Sequence, residues 1–132
     1  AIVSQTDCPS WGYWLSKGAT TCWETWDTDS RSYNHFYFGT IDDWFYQYLA
    51  GIRPLTAGYK TFRIRPYPCG ALTEVEAQVE SPYGTICVHW TLTDGVFTLE
   101  ASIPANTTAE IILPDGTAKQ TGSGSYQYEV RL

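Results

Sequence analysis

The sequence has no Cys-x-x-Cys pair, few positive charges and no apolar run long enough to cross a membrane. Each shortage excludes something. Eight Lys and Arg stand against 14 Asp and Glu, a formal charge of -6, so the basic face that nucleic acid requires is missing. A spanning helix needs about 20 consecutive apolar residues, so no membrane partner is expected either. Two separated histidines and four isolated cysteines (Cys8, Cys22, Cys69, Cys87) make no metal-ligand spacing. No metal or other cofactor is called for. The cysteines read as free thiols, buried or half-buried, although spacing leaves a Cys69–Cys87 bridge open. The chain opens at Ala1 with neither Met nor a charged n-region, so a signal peptide, if one exists, is not in this sequence.

With 43% hydrophobic and 17% charged residues the composition is globular. A length of 132 residues suits one ordinary domain, or a small one with an appendage. Tryptophan divides the chain. Trp11, Trp14, Trp23, Trp26 and Trp44 lie in its first third, and only Trp90 lies later.

Asp7-Cys8-Pro9 predicts the start of a short helix, since proline suits a first turn. Trp11, Trp14 and Leu15 would share one face, and Gly18 would end it. Ala19 to Asp27 is rich in β-branched and aromatic residues and reads as an extended, turn-like strip. Alternation puts Trp23 and Thr25 on one side and Cys22, Glu24 and Trp26 on the other. A second helix is predicted from about Ile41 to Ala50. Thr40 would cap it with Asp43 completing a capping box, and Gly51 and Pro54 would stop it. Its stripe of Ile41, Trp44, Phe45, Tyr48, Leu49 and Ile52 is more than one short neighbouring helix can cover.

From Thr61 the period becomes two. Val75, Ala77 and Val79 alternate with acidic or amide residues. Ile86, Val88, Trp90 and Leu92 alternate with Cys87, His89 and Thr91, and Phe97, Leu99, Ala101 and Ile103 follow the Asp94-Gly95 turn. The fold class expected is mainly β: an antiparallel two-sheet β-sandwich of roughly six to eight strands, preceded by a short helical segment. Gly122-Ser123-Gly124 reads as a hairpin tip, and Asn106-Thr107-Thr108 as turn chemistry rather than a glycosylation site.

Among the carboxylates, Asp42 and Asp43 serve a helix start, and Glu74, Glu76 and Glu80 line a solvated strand face. Glu24 differs, because it sits between Trp23 and Trp26 where folding requires no acid. A carboxylate among aromatic walls suits sugar cleavage, since aromatic faces stack on sugar C–H groups while the acid moves a proton. The alternative is a surface glutamate beside core indoles. His35, just before the second helix, is a possible donor to a sugar hydroxyl or a loop histidine satisfied by backbone. His89 faces outward and reads as inert.

Several stretches together resemble the C-terminal end of family 78 glycoside hydrolases, the α-L-rhamnosidases. They are Pro9-Ser10-Trp11-Gly12, Gly18-Ala19-Thr20-Thr21-Cys22-Trp23-Glu24-Thr25-Trp26, Asn34-His35, and Trp44-Phe45-Tyr46-Gln47-Tyr48-Leu49-Ala50-Gly51-Ile52. Tyr83-Gly84 and Ile103-Pro104-Ala105-Asn106-Thr107-Thr108-Ala109 extend it to essentially the whole chain. The resemblance implies that residues 1–53 are the remnant of an (α/α)6 catalytic barrel and residues 54–132 the C-terminal β-sandwich. It implies an inverting hydrolase of terminal α-L-rhamnosyl residues, with Glu24 as general base, His35 touching bound rhamnose, and Trp23 and Trp26 shaping the pocket wall. The partners it implies are rhamnose-containing glycosides or oligosaccharides and the rest of the barrel, where the general acid would reside. This chain alone is then expected to be inactive. A carbohydrate-binding module and a purely structural sandwich are the competing expectations.

Overall fold

The computed structural model describes residues 2–3 and 5–132, which form two compact units, Ala1–Asp42 and Asp43–Leu132. The first contains one regular helix, α1 (Trp11–Ser16). It begins two residues later than Pro9 in the first turn would require. Ser10 is the N-cap, its Oγ accepting from Tyr13 N–H at 2.8 Å and donating to the Gln5 carbonyl at 2.7 Å. A serine hydroxyl satisfies a free helix donor, which proline cannot do. Gly12 is needed close by, because a Cβ there would meet the Gln5 carbonyl oxygen at 2.2 Å. Trp14 is buried, but Leu15 is 70% exposed, so the predicted three-residue face reduces to Trp11 and Trp14. Gly18 takes the left-handed conformation beyond the helix, as expected.

The second predicted helix exists but changes pitch. One α-helical turn, α2 (Ile41–Trp44), passes into a π-helical turn over Phe45–Leu49, closed by Ala50 N–H to the Phe45 carbonyl at 3.0 Å. The capping box gives way to a different bond, in which the Asp43 carboxylate accepts from Gln47 Nε2 at 2.6 Å. Gly51 ends the helical stretch with a φ of 81°. A Cβ there would also fall 2.2–2.3 Å from the Arg65–Pro66 peptide, so the close approach of two backbones requires glycine.

Eight strands follow among the described residues: β1 (Ile52–Pro54), β2 (Thr61–Ile64), β3 (Glu74–Ser81), β4 (Gly84–Thr93), β5 (Val96–Ile103), β6 (Thr108–Ile112), β7 (Ala118–Thr121) and β8 (Gly124–Arg131). They form two four-stranded sheets, ordered β1-β2-β6-β7 and β3-β4-β5-β8. The sandwich is as expected except at one seam, where β2 and β6 run parallel. Parallel neighbours need a long crossover, and here β3–β5 build the other sheet before the chain returns. Gly122-Ser123-Gly124 is likewise not a hairpin tip, since β7 and β8 belong to different sheets. By contrast Asp94 and Gly95 both adopt positive φ, 52° and 75°, the left-handed pair that a two-residue hairpin wants.

Alternation selects the core. Ile52, Phe62, Ile64, Ala109 and Ile111 come from one sheet, and Ile86, Val88, Trp90, Phe97, Leu99, Ala101 and Ile103 from the other. Burying each large member is worth about 1.5–3 kcal/mol. Tyr126, Tyr128 and Val130 close the margin, half-buried. All four cysteines are free; Cys8 is exposed and the others are half-buried.

The outward residues of the second sheet include Glu76, His89 and Glu100, in register across β3, β4 and β5. His89 Nε2 lies 2.9 Å from Glu74 Oε1, and Nδ1 lies 3.8 Å from Glu100 Oε2. The hydrogen bond to Glu74 is the chief cause holding the imidazole pKa above its ordinary value; burial opposes it, and the charges of Glu74 and Glu100 add to it. A raised folded-state pKa gives a stabilisation that is complete below the unfolded value and lost as pH rises through the folded value. In an NMR titration the His89 ring protons should therefore show a midpoint above the ~6.5 of a free histidine. Glu74→Gln should move that midpoint down. A midpoint indifferent to this substitution would remove the pair as its cause.

Candidate active-site segment

All four residues singled out by sequence (Trp23, Glu24, Trp26 and His35) lie in the first unit. Two backbone bonds clasp the strip around Glu24 to the strip before His35: Glu24 N–H donates to the Ser32 carbonyl at 2.9 Å, and His35 N–H to the Cys22 carbonyl at 2.8 Å. The loop between is stapled at its base. Buried Ser30 accepts from Thr25 N–H at 3.2 Å and donates to the Ser32 carbonyl at 3.0 Å. Tyr33 O–H donates to the Thr28 carbonyl at 2.7 Å, and Thr21 O–H donates to the Tyr33 carbonyl. Polar short side chains that bond backbone produce this kind of fixed loop. Glu24 and His35 therefore sit on adjoining strips whose backbones are pinned together.

The strict alternation expected for residues 22–26 does not hold, because the strip bends. Trp23 and Trp26 both pack on Trp14, at ring-centroid distances of 5.8 and 4.5 Å. Trp26 also meets Trp11 edge-on at 4.9 Å and Phe38 at 4.3 Å, and its carbonyl accepts from Trp14 Nε1 at 3.2 Å. Indole pairs of this kind gain about 0.5–1.5 kcal/mol beyond area burial, enough to override a local extended preference. Trp23 is buried in this cluster and Trp26 half-buried. Trp11 Nε1 is the one buried side-chain polar atom without a partner among the described residues.

The Glu24 side chain is 18% exposed and accepts from the Arg31 guanidinium at 2.9 Å, while Arg31 itself is 90% exposed. An ion pair with one partner in solvent is worth only about 0.2–1 kcal/mol, so it holds the carboxylate without locking it. His35 Nδ1 accepts from Tyr37 N–H at 3.3 Å. In the neutral ring this leaves the proton on Nε2. His35 stacks on Phe36 at 4.9 Å and 15°, with Tyr37 at 4.3 Å. Phe36, Tyr37 and Tyr33 are all exposed. These aromatics were not singled out from the sequence, although the run Phe36-Tyr37-Phe38 in a polar loop was a readable signal.

The arrangement offers one half-buried carboxylate, one imidazole donor and exposed rings on a short stapled segment. Residues 51–127 match the family model described as the bacterial α-L-rhamnosidase C-terminal domain. The chain belongs to the α-L-rhamnosidases. Residues 1–49 match the bacterial α-L-rhamnosidase 6-hairpin glycosidase domain, so the Glu24 segment falls on the glycosidase side. An α-L-rhamnosidase of Streptomyces avermitilis is 35% identical over 98% of this chain and 15% of its own length. One from Formosa agariphila is 40% identical over 80% of the chain and 12% of its own length. The S. avermitilis enzyme in complex with L-rhamnose superposes with a TM-score of 0.92 at 34% identity, over 98% of this chain and 16% of that one. The Aspergillus terreus α-L-rhamnosidase gives 0.92 at 33%, over 97% and 16%. The chain thus spans less than a fifth of each of these α-L-rhamnosidases.

Proposed function

We propose that this chain supplies the general base and part of the sugar pocket to an inverting α-L-rhamnosidase. Glu24 takes a proton from a water molecule as that water attacks the anomeric carbon. A carboxylic acid elsewhere in the whole protein protonates the leaving oxygen on the opposite face. His35 donates through Nε2 to a hydroxyl of the bound rhamnosyl unit. Trp26 shapes the wall, and Trp23 does so from beneath by holding the strip on Trp14. The observation that carries this reading is the Glu24 carboxylate, half-buried on a strip whose backbone is bonded to the strip before His35, within residues matched by a glycosidase domain. In this reading residues 1–53 complete a helical barrel and residues 54–132 buttress it. The purely binding role is disfavoured for the sandwich core, because Trp90 and Phe97 are fully buried there.

Two carboxyl groups are needed for this reaction and the chain offers one, so the 132 residues alone should release no aryl alcohol from an aryl α-L-rhamnoside above the buffer rate. Turnover by the isolated chain that Glu24→Gln abolishes would overturn the division of acid and base between segments.

A further inference from the structure

Residues 1–42 carry two basic side chains, Lys17 and Arg31, against five carboxylates. Lys17 lies over the Tyr13 ring at 5.3 Å. Arg31 has Asp29 two positions before it and Asp27 four positions before it, both exposed. Its guanidinium passes over both and donates from Nη2 to Glu24 Oε1 at 2.9 Å. The backbone accounts for this choice. Glu24 N–H is bonded to the Ser32 carbonyl and Thr25 N–H to Ser30 Oγ, so the residues on either side of Arg31 are tied to the Glu24 strip. Ser30 Oγ in turn donates to the Ser32 carbonyl, and Arg31 is carried between them. Each of these bonds begins and ends within residues 24–32, so the placement of Arg31 is set by the loop itself.

Stability does not explain the pair. A partly solvated ion pair contributes little to folding. The loop is already closed without the guanidinium, by Ser30, by Thr21 on the Tyr33 carbonyl and by Tyr33 on the Thr28 carbonyl. Chemistry explains it better. A guanidinium only donates and stays protonated in proteins, so it orients a carboxylate without exchanging a proton with it. The bond engages one carboxylate oxygen, Oε1, and the proton-accepting task can fall to the other.

We propose that Arg31 is the positioning residue of the Glu24 carboxylate, holding Oε1 so that Oε2 faces the attacking water. This rests on the reading of Glu24 as general base. The water oxygen bonds to the anomeric carbon as its proton passes to Oε2, and Arg31 neither gives nor takes a proton. Without Arg31 the carboxylate turns about its own side-chain torsions. A displacement of about 1 Å at a reacting group can cost on the order of 10²-fold in rate.

Arg31→Ala in a full-length α-L-rhamnosidase carrying this segment tests this, with an aryl α-L-rhamnoside as substrate. A loss in kcat of about 10- to 100-fold is expected, with KM and the thermal midpoint near wild type. Dilute guanidinium chloride should restore part of kcat, and sodium chloride at the same concentration should not. In a Glu24→Gln background turning over with azide, Arg31→Ala should cost nothing further, because residues that act as a unit are not additive. The proposal is overturned if Arg31→Ala keeps the wild-type kcat, if it raises KM alone, if it lowers the thermal midpoint, if sodium restores kcat as well as guanidinium, or if its loss persists undiminished in the azide reaction. Glu24→Gln that gains nothing from azide sinks the general-base reading and this proposal with it. Glu24→Gln rescued by azide beside a fully active Arg31→Ala sinks this proposal alone.

Discussion

Glu24→Gln, introduced into a full-length α-L-rhamnosidase carrying this segment as its C-terminal part, is expected to lower kcat by about 10²- to 10⁴-fold, the range a positioned acid or base contributes. The amide keeps the size of the carboxylate and an oxygen for the 2.9 Å contact with Arg31, so the stapled loop should survive. What it loses is the capacity to accept a proton from water. KM should change far less, because in the proposed reading the rhamnosyl unit meets His35 and the exposed rings before any proton moves. Added azide separates a base from a binding group: it is an anion that needs no proton removed, and it would attack the face that water used. Partial recovery of turnover, with a glycosyl azide of inverted configuration, is expected. A variant that raises KM alone and gains nothing from azide would make Glu24 a sugar-binding residue. Retained configuration in the wild-type product would sink the water-attack scheme itself.

The sandwich was legible because strand side chains alternate by face whatever the neighbouring strand is. Parity alone placed Trp90, Phe97 and Leu99 inside and His89 outside, and all four are found there. Parity is silent on which strands adjoin, so the parallel seam of β2 and β6 was not readable, nor was the change of sheet at Gly122-Ser123. Helix detail was lost where side chains compete for backbone donors. Ser10 caps α1 in place of a Pro9 start, and Asp43 is taken by Gln47. Glu24 was singled out from its surroundings, an acid among indoles. Its geometry was not legible, because a bent strip obeys no period: Trp23 and Trp26 converge on one indole instead of facing apart. Arg53 and Arg63 are ten positions apart in the chain, and only strand register brings them opposite.

Trp90→Ala is expected to unfold the second unit or bring it to the edge of unfolding. The indole is fully buried, packs on Phe97 at 5.6 Å, and donates from Nε1 to the Leu49 carbonyl at 2.7 Å. Leu49 ends the π-helical turn, where carbonyls lack intrahelical partners, so one side chain both fills the core and caps the helical stretch. Removing a buried Trp side chain costs about 3–5 kcal/mol through lost transfer energy and the cavity left behind. The abandoned carbonyl adds about 1–3 kcal/mol. Together these rival the roughly 5–15 kcal/mol that holds a typical domain folded. Trp90→Phe keeps most of the apolar contact and forfeits the donor, so it should lie between the wild type and Trp90→Ala. Urea unfolding followed by far-ultraviolet circular dichroism ranks the three. If Trp90→Ala unfolds at the wild-type midpoint, the core does not depend on this indole. If Trp90→Phe matches wild type, the bond to Leu49 contributes nothing, and the helical end is held by the peptide contacts at Gly51 and Tyr48 alone.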